Sequence, residues 1–156
     1  EEVAVYCDSK YVSNLDERIV WPDDYFGLTI GINESFEIGG DQFWKARDEG
    51  NIKVEPAKDN RENILKLRAG RTHCYVNDKL SILWELKELK RLGLIEKDTE
   101  FKLAINVSSE HGYLAYTAIS KERYPYKADF VETLDKIILE MQNNGEIEMI
   151  TQKYRD

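Results

Sequence analysis

From residue 27 to residue 107 the sequence alternates strand-like and helix-like segments. That alternation of four strands restricts the chain to an α/β fold with a mainly parallel sheet and flanking helices, five-stranded once the strand over residues 2–12 is added. "GLTIGI" (27–32) is an apolar, β-branched run of the buried-strand type. In "NESFEIGGDQFWKARDEG" Asp41 reads as a helix N-cap, Phe43, Trp44 and Ala46 as an apolar face, and Gly50 as the stop. "NIKVEPAK" (51–58) is a short strand that Pro56 places near an edge or a strand end. "DNRENILKLRAG" (59–70) is the clearest helix: Asp59 or Asn60 caps it, Ile64, Leu65 and Leu67 face inward, and Gly70 ends it. "RTHCYVND" (71–78) is a strand ending on a carboxylate. "KLSILWELKELKRLG" (79–93) is a helix with Leu80, Leu83, Leu86 and Leu89 near one stripe, and "EFKLAINVS" (100–108) is another strand.

The two ends break this repeat. Residues 2–12 read as one strand, and residues 13–26 as a polar, aspartate-rich connection where a crossover helix would be expected. "GYLAYTAI" (112–119) reads as a strand. A helix over 128–143 then turns at Asn144-Gly145 into a shorter helix over 146–153. Phe130, Leu134, Ile137, Ile138 and Met141 share one face of the longer helix, which needs a surface that residues 1–107 do not obviously provide.

Composition narrows the function classes. At 156 residues, 42% hydrophobic and 33% charged, the chain can build one ordinary core. No apolar run approaches the ~20 residues of a membrane-spanning helix. No basic start followed by an apolar stretch marks a secretory signal, so the chain is expected to be cytosolic or already processed. A net charge of −8 spread along the chain argues against nucleic acid as a partner, because phosphate binding needs a concentrated basic face. Cys7 and Cys74 are either two small buried residues or, if their strands are neighbours, a disulfide formed in an oxidising compartment. His73 reads as a sheet residue, and His111 lies in a polar connection. Neither has a Cys or Ser at a telling spacing, and no metal or cofactor motif is present. Glu34, Glu37 and Asp78 are the acids that could meet as a catalytic pair.

Three segments in order carry a resemblance. "NILKLRAGRTHCYVND" resembles the stretch of type II periplasmic solute-binding proteins in which a helix, Ala-Gly-Arg and a strand end on Asp. "YFGLTIGINESFEIGGDQF" is similar to the strand, loop and helix start of that family's second lobe. "GYLAYTAISKE" with "ADFVETLDKIILEMQNNGEIEMITQKY" is similar to its closing stretch. The nearest group is the family-3, amino-acid-type receptors of ABC importers. The resemblance implies a clamshell of two α/β lobes and a chain that lacks most of the N-terminal lobe, roughly a hundred residues. Residues 1–12 would then be a hinge-crossing strand, 13–107 the second lobe, 108–119 the return strand, and 120–156 helices that pack on the first lobe. A fragment, a proteolysed product and a swapped or associated dimer are all open.

The resemblance implies a small polar ligand, such as an amino acid, held between the lobes, with a membrane permease as partner and a periplasmic location. It implies no catalytic residues and no cofactor. A ligand-sensing module and a dehydratase-like enzyme of the same fold are the alternatives. By resemblance Asp78 accepts from a ligand ammonium; the other reading is that it caps the helix starting at Lys79 or Leu80. Ser35, Glu37, Gly39 and Gly40 form the second candidate region, at a helix N-terminus whose glycines admit a ligand to the backbone. The family's small hydroxyl residue would fall at Phe36 or Glu37, with Ser35 slightly early. Either Ser35 serves after a local shift or the ligand is not a simple α-amino acid, and a cationic or sugar-like solute suits Glu37 better. A solvated loop with two turn glycines is the remaining alternative.

Overall fold

The computed structural model describes residues 1–109, 112–118 and 123–155. The chain divides into two units, with the boundary after residue 111.

The first unit is built on five strands, β1 (Glu2–Cys7), β2 (Thr29–Asn33), β3 (Lys53–Ala57), β4 (Cys74–Asp78) and β5 (Lys102–Ser109). Their order across the sheet is β3-β2-β4-β1-β5. β2 is parallel to β3 and β4, and β1 is antiparallel to both β4 and β5. Four strands therefore run one way, with β1 inserted against them. Three helices belong to this unit: α1 (Asp41–Asp48), α2 (Asn60–Arg68) and α3 (Lys79–Arg91).

Side-chain alternation splits the core between the two faces of the sheet. Val3, Val5 and Cys7 of β1, Ile30 and Ile32 of β2, and Cys74 and Val76 of β4 bury one face. Phe43 and Ala46 of α1 cover it, together with Val12, Leu15 and Tyr25. The polar-looking connection 13–26 thus replaces a crossover helix with two one-turn 3-10 helices, Leu15–Glu17 and Asp23–Tyr25, whose apolar anchors are Leu15 and Tyr25. Ala4, Tyr6 and Tyr75 point to the opposite face, under Ile64 and Leu67 of α2 and Ile82 and Leu89 of α3. Each fully buried Val, Leu, Ile or Phe among them contributes roughly 1.5–3 kcal/mol of transfer free energy. Cys7 stands opposite Cys74 in the β1–β4 register, and the two form a disulfide.

Several local expectations are corrected. β1 stops at Cys7, short of residue 12, because Asp8 turns the chain: its carbonyl accepts from Tyr11 and Val12 and its carboxylate from the Lys10 amide at 2.8 Å. Asp41 is the first helical residue of α1. The cap position is Gly40, which has no side chain to offer. Asp59 does cap α2, accepting from the Glu62 amide at 2.9 Å. Leu65 is exposed, and the third inward position of α2 is the fully buried Asn63. His73 is a satisfied sheet residue whose Nδ1 accepts from the Thr29 amide at 2.8 Å.

The second unit holds α4 (Lys127–Asn143) and α5 (Glu146–Arg155), joined at Asn144-Gly145, where Gly145 has φ 79°. Phe130, Ile137, Leu139 and Met149 are exposed large apolar side chains of these helices. Among the described residues of the return strand expected over 108–119, only Ser108 and Ser109, the end of β5, are in a strand; residues 110 and 111 lie outside the described residues. Residues 112–118 carry no strand, and residue 119 lies outside the described residues. Alternation of side chains prepares a segment for a sheet, but a strand also needs a ladder partner, and 112–118 have none among the described residues. Two local ties involve this segment: Tyr116 packs edge-on to Phe130 at 6.2 Å, and Lys127 Nζ donates to the Thr117 carbonyl.

Candidate functional site

The parallel strands β2, β3 and β4 deliver their carboxyl ends to one edge of the sheet. Ile30 is level with Cys74 and Gly31 with Tyr75. The same register carried forward sets Asn33 level with Asn77, and Glu34 with Asp78. The loop after β2 and the start of α3 therefore emerge side by side, and the α2 N-terminus follows β3 on the same edge. This is where ligands of open parallel sheets bind.

Asp78 ends β4 half-buried and caps α3, with its Oδ1 accepting from the Ser81 amide at 2.8 Å. Its Oδ2 has no hydrogen-bond partner among the described residues. The cap thus occupies one oxygen and leaves the other available. Lys79, next in sequence, pairs with Glu2 at 2.8 Å, which answers its charge beside the Asp78 carboxylate.

The loop after β2 is shaped by three residues with positive φ: Ser35 (65°), Gly39 (97°) and Gly40 (81°). The Asn33 carbonyl accepts from the Phe36 amide at 3.2 Å, closing a turn around Ser35. A Cβ at Gly39 would stand 2.8 Å from the Phe43 ring, so only glycine fits against that side chain in this loop. At Gly40 an added Cβ would meet nothing within 4 Å, and the backbone there is open. Trp21 supports the loop from behind: its indole donates to the Gly39 carbonyl at 2.8 Å and stacks on Phe43 with centroids 5.1 Å apart.

Ser35, Glu37 and Gly40 line one open groove of about 710 Å³ together with Asp41, Trp44 and Arg47. Gly39 and Asp78 are not among its lining residues. The structure thus gathers three of the five expected residues in a single groove and places Asp78 at the end of the neighbouring strand. The groove's cation is already engaged: the Arg47 guanidinium lies 4.6 Å over the Trp44 ring and pairs with Asp48 at 2.6 Å. Glu37 and Asp41 leave the rest of the rim acidic. Among the described residues no group of three or more His, Cys, Asp or Glu is arranged to hold a metal. His111 lies outside the described residues.

The sequence reading missed a polar cluster beneath this edge. The Tyr75 hydroxyl accepts from Asn77 Nδ2 at 2.8 Å and lies 2.9 Å from both Asn33 Oδ1 and Asn60 Oδ1. Asn33 and Asn77 each donate to Asn60 Oδ1, at 2.7 and 2.9 Å. Asn63 donates to Asn33 Oδ1 at 2.8 Å. Burial pushes the Tyr75 phenol well above its ordinary range, the hydrogen bond donated by Asn77 opposing it in part. The available signal was parity: Gly31, Asn33, Tyr75 and Asn77 all sit on strand positions that face α2 and α3.

No protein-family model matches the sequence, and no curated protein matches it. Solved structures do. The second substrate-binding domain of GlnP from Lactococcus lactis, in an open conformation, matches with a TM-score of 0.60 at 16% identity, over 98% of this chain and 57% of that one. An ancestral arginine-binding protein bound to arginine matches with a TM-score of 0.61 at 17% identity, over 99% and 60%. A histidine kinase sensor domain with similarity to periplasmic binding proteins matches with a TM-score of 0.58 at 13% identity, over 98% and 58%. The chain therefore has the α/β fold of these binding and sensor domains, and it spans less than two thirds of their length.

Proposed function

We propose that this chain is the greater part of an extracytoplasmic solute receptor, which closes on a small polar ligand such as an amino acid and presents it to the permease of an ABC importer. The observation that carries the proposal is the shared edge: a half-buried carboxylate with one unengaged oxygen, Asp78, beside a glycine loop with open backbone at Gly40. In this reading residues 13–107, with β1 as a crossing strand, form one lobe. Residues 108–119 return, and the helices of 120–156 pack on the other lobe. Asp78 Oδ2 takes a hydrogen bond from a ligand ammonium, a charge-assisted contact of about 1.5–3 kcal/mol. Ser35 and the Gly39-Gly40 backbone hold the ligand's polar groups, and Glu37 favours a cationic or hydroxyl-rich one over a bare carboxylate. Binding then shifts an open–closed equilibrium by its differential affinity for the two states.

Support comes from the fold shared with an arginine-binding protein and a substrate-binding domain. The Cys7–Cys74 disulfide fits an oxidising, periplasmic setting. No described helix is long and apolar enough to cross a membrane. The test is a thermal-shift screen of the full-length protein against amino acids, polyamines and sugars. Stabilisation by one class without turnover is expected. Turnover of a ligand, lost in Asp78→Asn, would replace the receptor with an enzyme of the dehydratase type.

The likeness to a histidine kinase sensor domain favours one second reading, a ligand-sensing module. Deleting the gene separates the two. Loss of uptake of the stabilising ligand identifies a receptor, and intact uptake with an altered transcriptional response identifies a sensor.

A further inference from the structure

We propose that Tyr75 and the asparagines around it are positioning residues, a lock that fixes the loop after β2 and the start of α3 relative to each other. This rests on the reading of that edge as ligand-binding. Asn33 is the last residue of β2, immediately before the Glu34–Gly40 loop, and its carbonyl accepts from Phe36 within that loop. Asn77 immediately precedes Asp78. The third attachment is the first turn of α2, through Asn60 and Asn63, and Asn63 also donates to the Asp59 carbonyl at 3.2 Å.

The bond count closes on one arrangement. Asn60 Oδ1 accepts from Asn33 and Asn77, and Asn33 Oδ1 accepts from Asn63. The single phenolic proton then belongs on Asn33, giving each of these two oxygens two donors. Removing the Tyr75 hydroxyl leaves Asn33 one donor short and Asn77 without one of its acceptors.

Stability alone does not explain such a cluster. Tyr75 and Asn63 are fully buried, and Asn33 and Asn77 nearly so. Buried amides are costly beside apolar side chains of the same volume, and here Asn63 Oδ1 has no hydrogen-bond partner among the described residues. Space is nevertheless kept for it, since a Cβ at Gly31 would stand 2.7 Å from that oxygen. What the cluster provides is directional linkage among three chain segments at the edge where the ligand groups stand. Holding those groups at fixed spacing before binding lowers the ordering cost of binding.

Tyr75→Phe in the full chain tests this by amide hydrogen exchange. The Phe36 and Ser81 amides, bonded to Asn33 and Asp78, should exchange about fivefold faster, the equivalent of one lost hydrogen bond. The Asp8 and Gly27 amides, bonded to His73 and Asn51 at the far edge of the sheet, should keep their rates. Asn60→Ala, which changes a residue outside the strands, should give the same local pattern. Equal acceleration of all four amides, or no acceleration, would overturn the lock. Calorimetric titration with L-arginine gives a second readout: at least about tenfold weaker binding in Tyr75→Phe supports the lock, and unchanged affinity overturns it. If the wild type binds no compound of the solute screen, the receptor reading fails, and the exchange pattern alone still decides the lock.

Discussion

The indole N–H of Trp21 donates to the Gly39 carbonyl at 2.8 Å, although the two stand 18 positions apart in the chain. The same ring stacks on Phe43 and meets Tyr25 edge-on at 4.9 Å. The connection that replaces a crossover helix thus carries the strut of the glycine loop. Trp21→Phe keeps most of the stacking and deletes the hydrogen bond, so a stability loss of about 1 kcal/mol is expected. Limited proteolysis should open first within residues 34–40. Cleavage elsewhere, with that loop still protected, would contradict the assignment.

Asp78 has two separable tasks. Asn caps helices about as well as Asp, so Asp78→Asn should leave stability within about 0.5 kcal/mol, whereas Asp78→Ala loses the cap and about 1 kcal/mol. If Oδ2 contacts a ligand ammonium, Asp78→Asn should still weaken binding by about tenfold or more, since the charge is gone. Urea denaturation and calorimetry on both variants separate the tasks. Asn binding as tightly as Asp would leave Asp78 a cap and nothing else.

The Cys7–Cys74 disulfide closes a loop with a sequence separation of 67 and ties β1 to β4 in the middle of the sheet. Constraint of the unfolded chain is worth about 2–4 kcal/mol. The Cys7→Ser/Cys74→Ser double variant should lose that amount in urea. Reductant should lower the wild-type midpoint and leave the variant's unchanged.

The α/β class and most element positions were legible because they follow from periodicity and turn residues, whereas the binding-protein-like fold came from the resemblance of three segments taken in order. Asp59 in front of an apolar stripe is an N-cap wherever it occurs, and the structure shows it as one. Asp41 had the same local signature and is not the cap, because Gly40 already turns the chain and helix α1 starts one residue earlier than the acid suggested. Leu65 and Asn63 exchanged expected roles for a tertiary reason. The face of α2 is set by what lies under it, and there Asn33 and the gap at Gly31 accept an amide. Residues 112–118 show the limit of pattern in the other direction, since a ladder partner is not encoded in the segment itself. The candidate residues of this edge were named from the sequence and its resemblance, whereas the polar cluster joining their supports was not. It depends on the parallel register of β2 and β4.

Alkaline pH should destabilise the protein through its buried tyrosines. Burial pushes Tyr25 up to about 12, with the Arg18 charge pulling it down and the Asp24 charge pushing it up. Its hydroxyl donates to the Arg18 carbonyl at 3.2 Å, a bond the tyrosinate cannot make. An unfolded tyrosine ionises near pH ~10. Between about pH 10 and about 12 the unfolded chain therefore holds fewer protons than the folded one, and stability must fall as pH rises. Below that window Tyr25 is neutral in both states and adds no pH dependence. One linked proton gives a slope of at most about 1.4 kcal/mol per pH unit. Tyr25→Phe removes this share while lysines and the other tyrosines still titrate. The urea midpoint of the wild type should therefore decline more steeply than that of Tyr25→Phe above pH ~10, and the two should run parallel below it. Parallel curves throughout would mean that Tyr25 ionises as readily in the folded protein as in the unfolded chain.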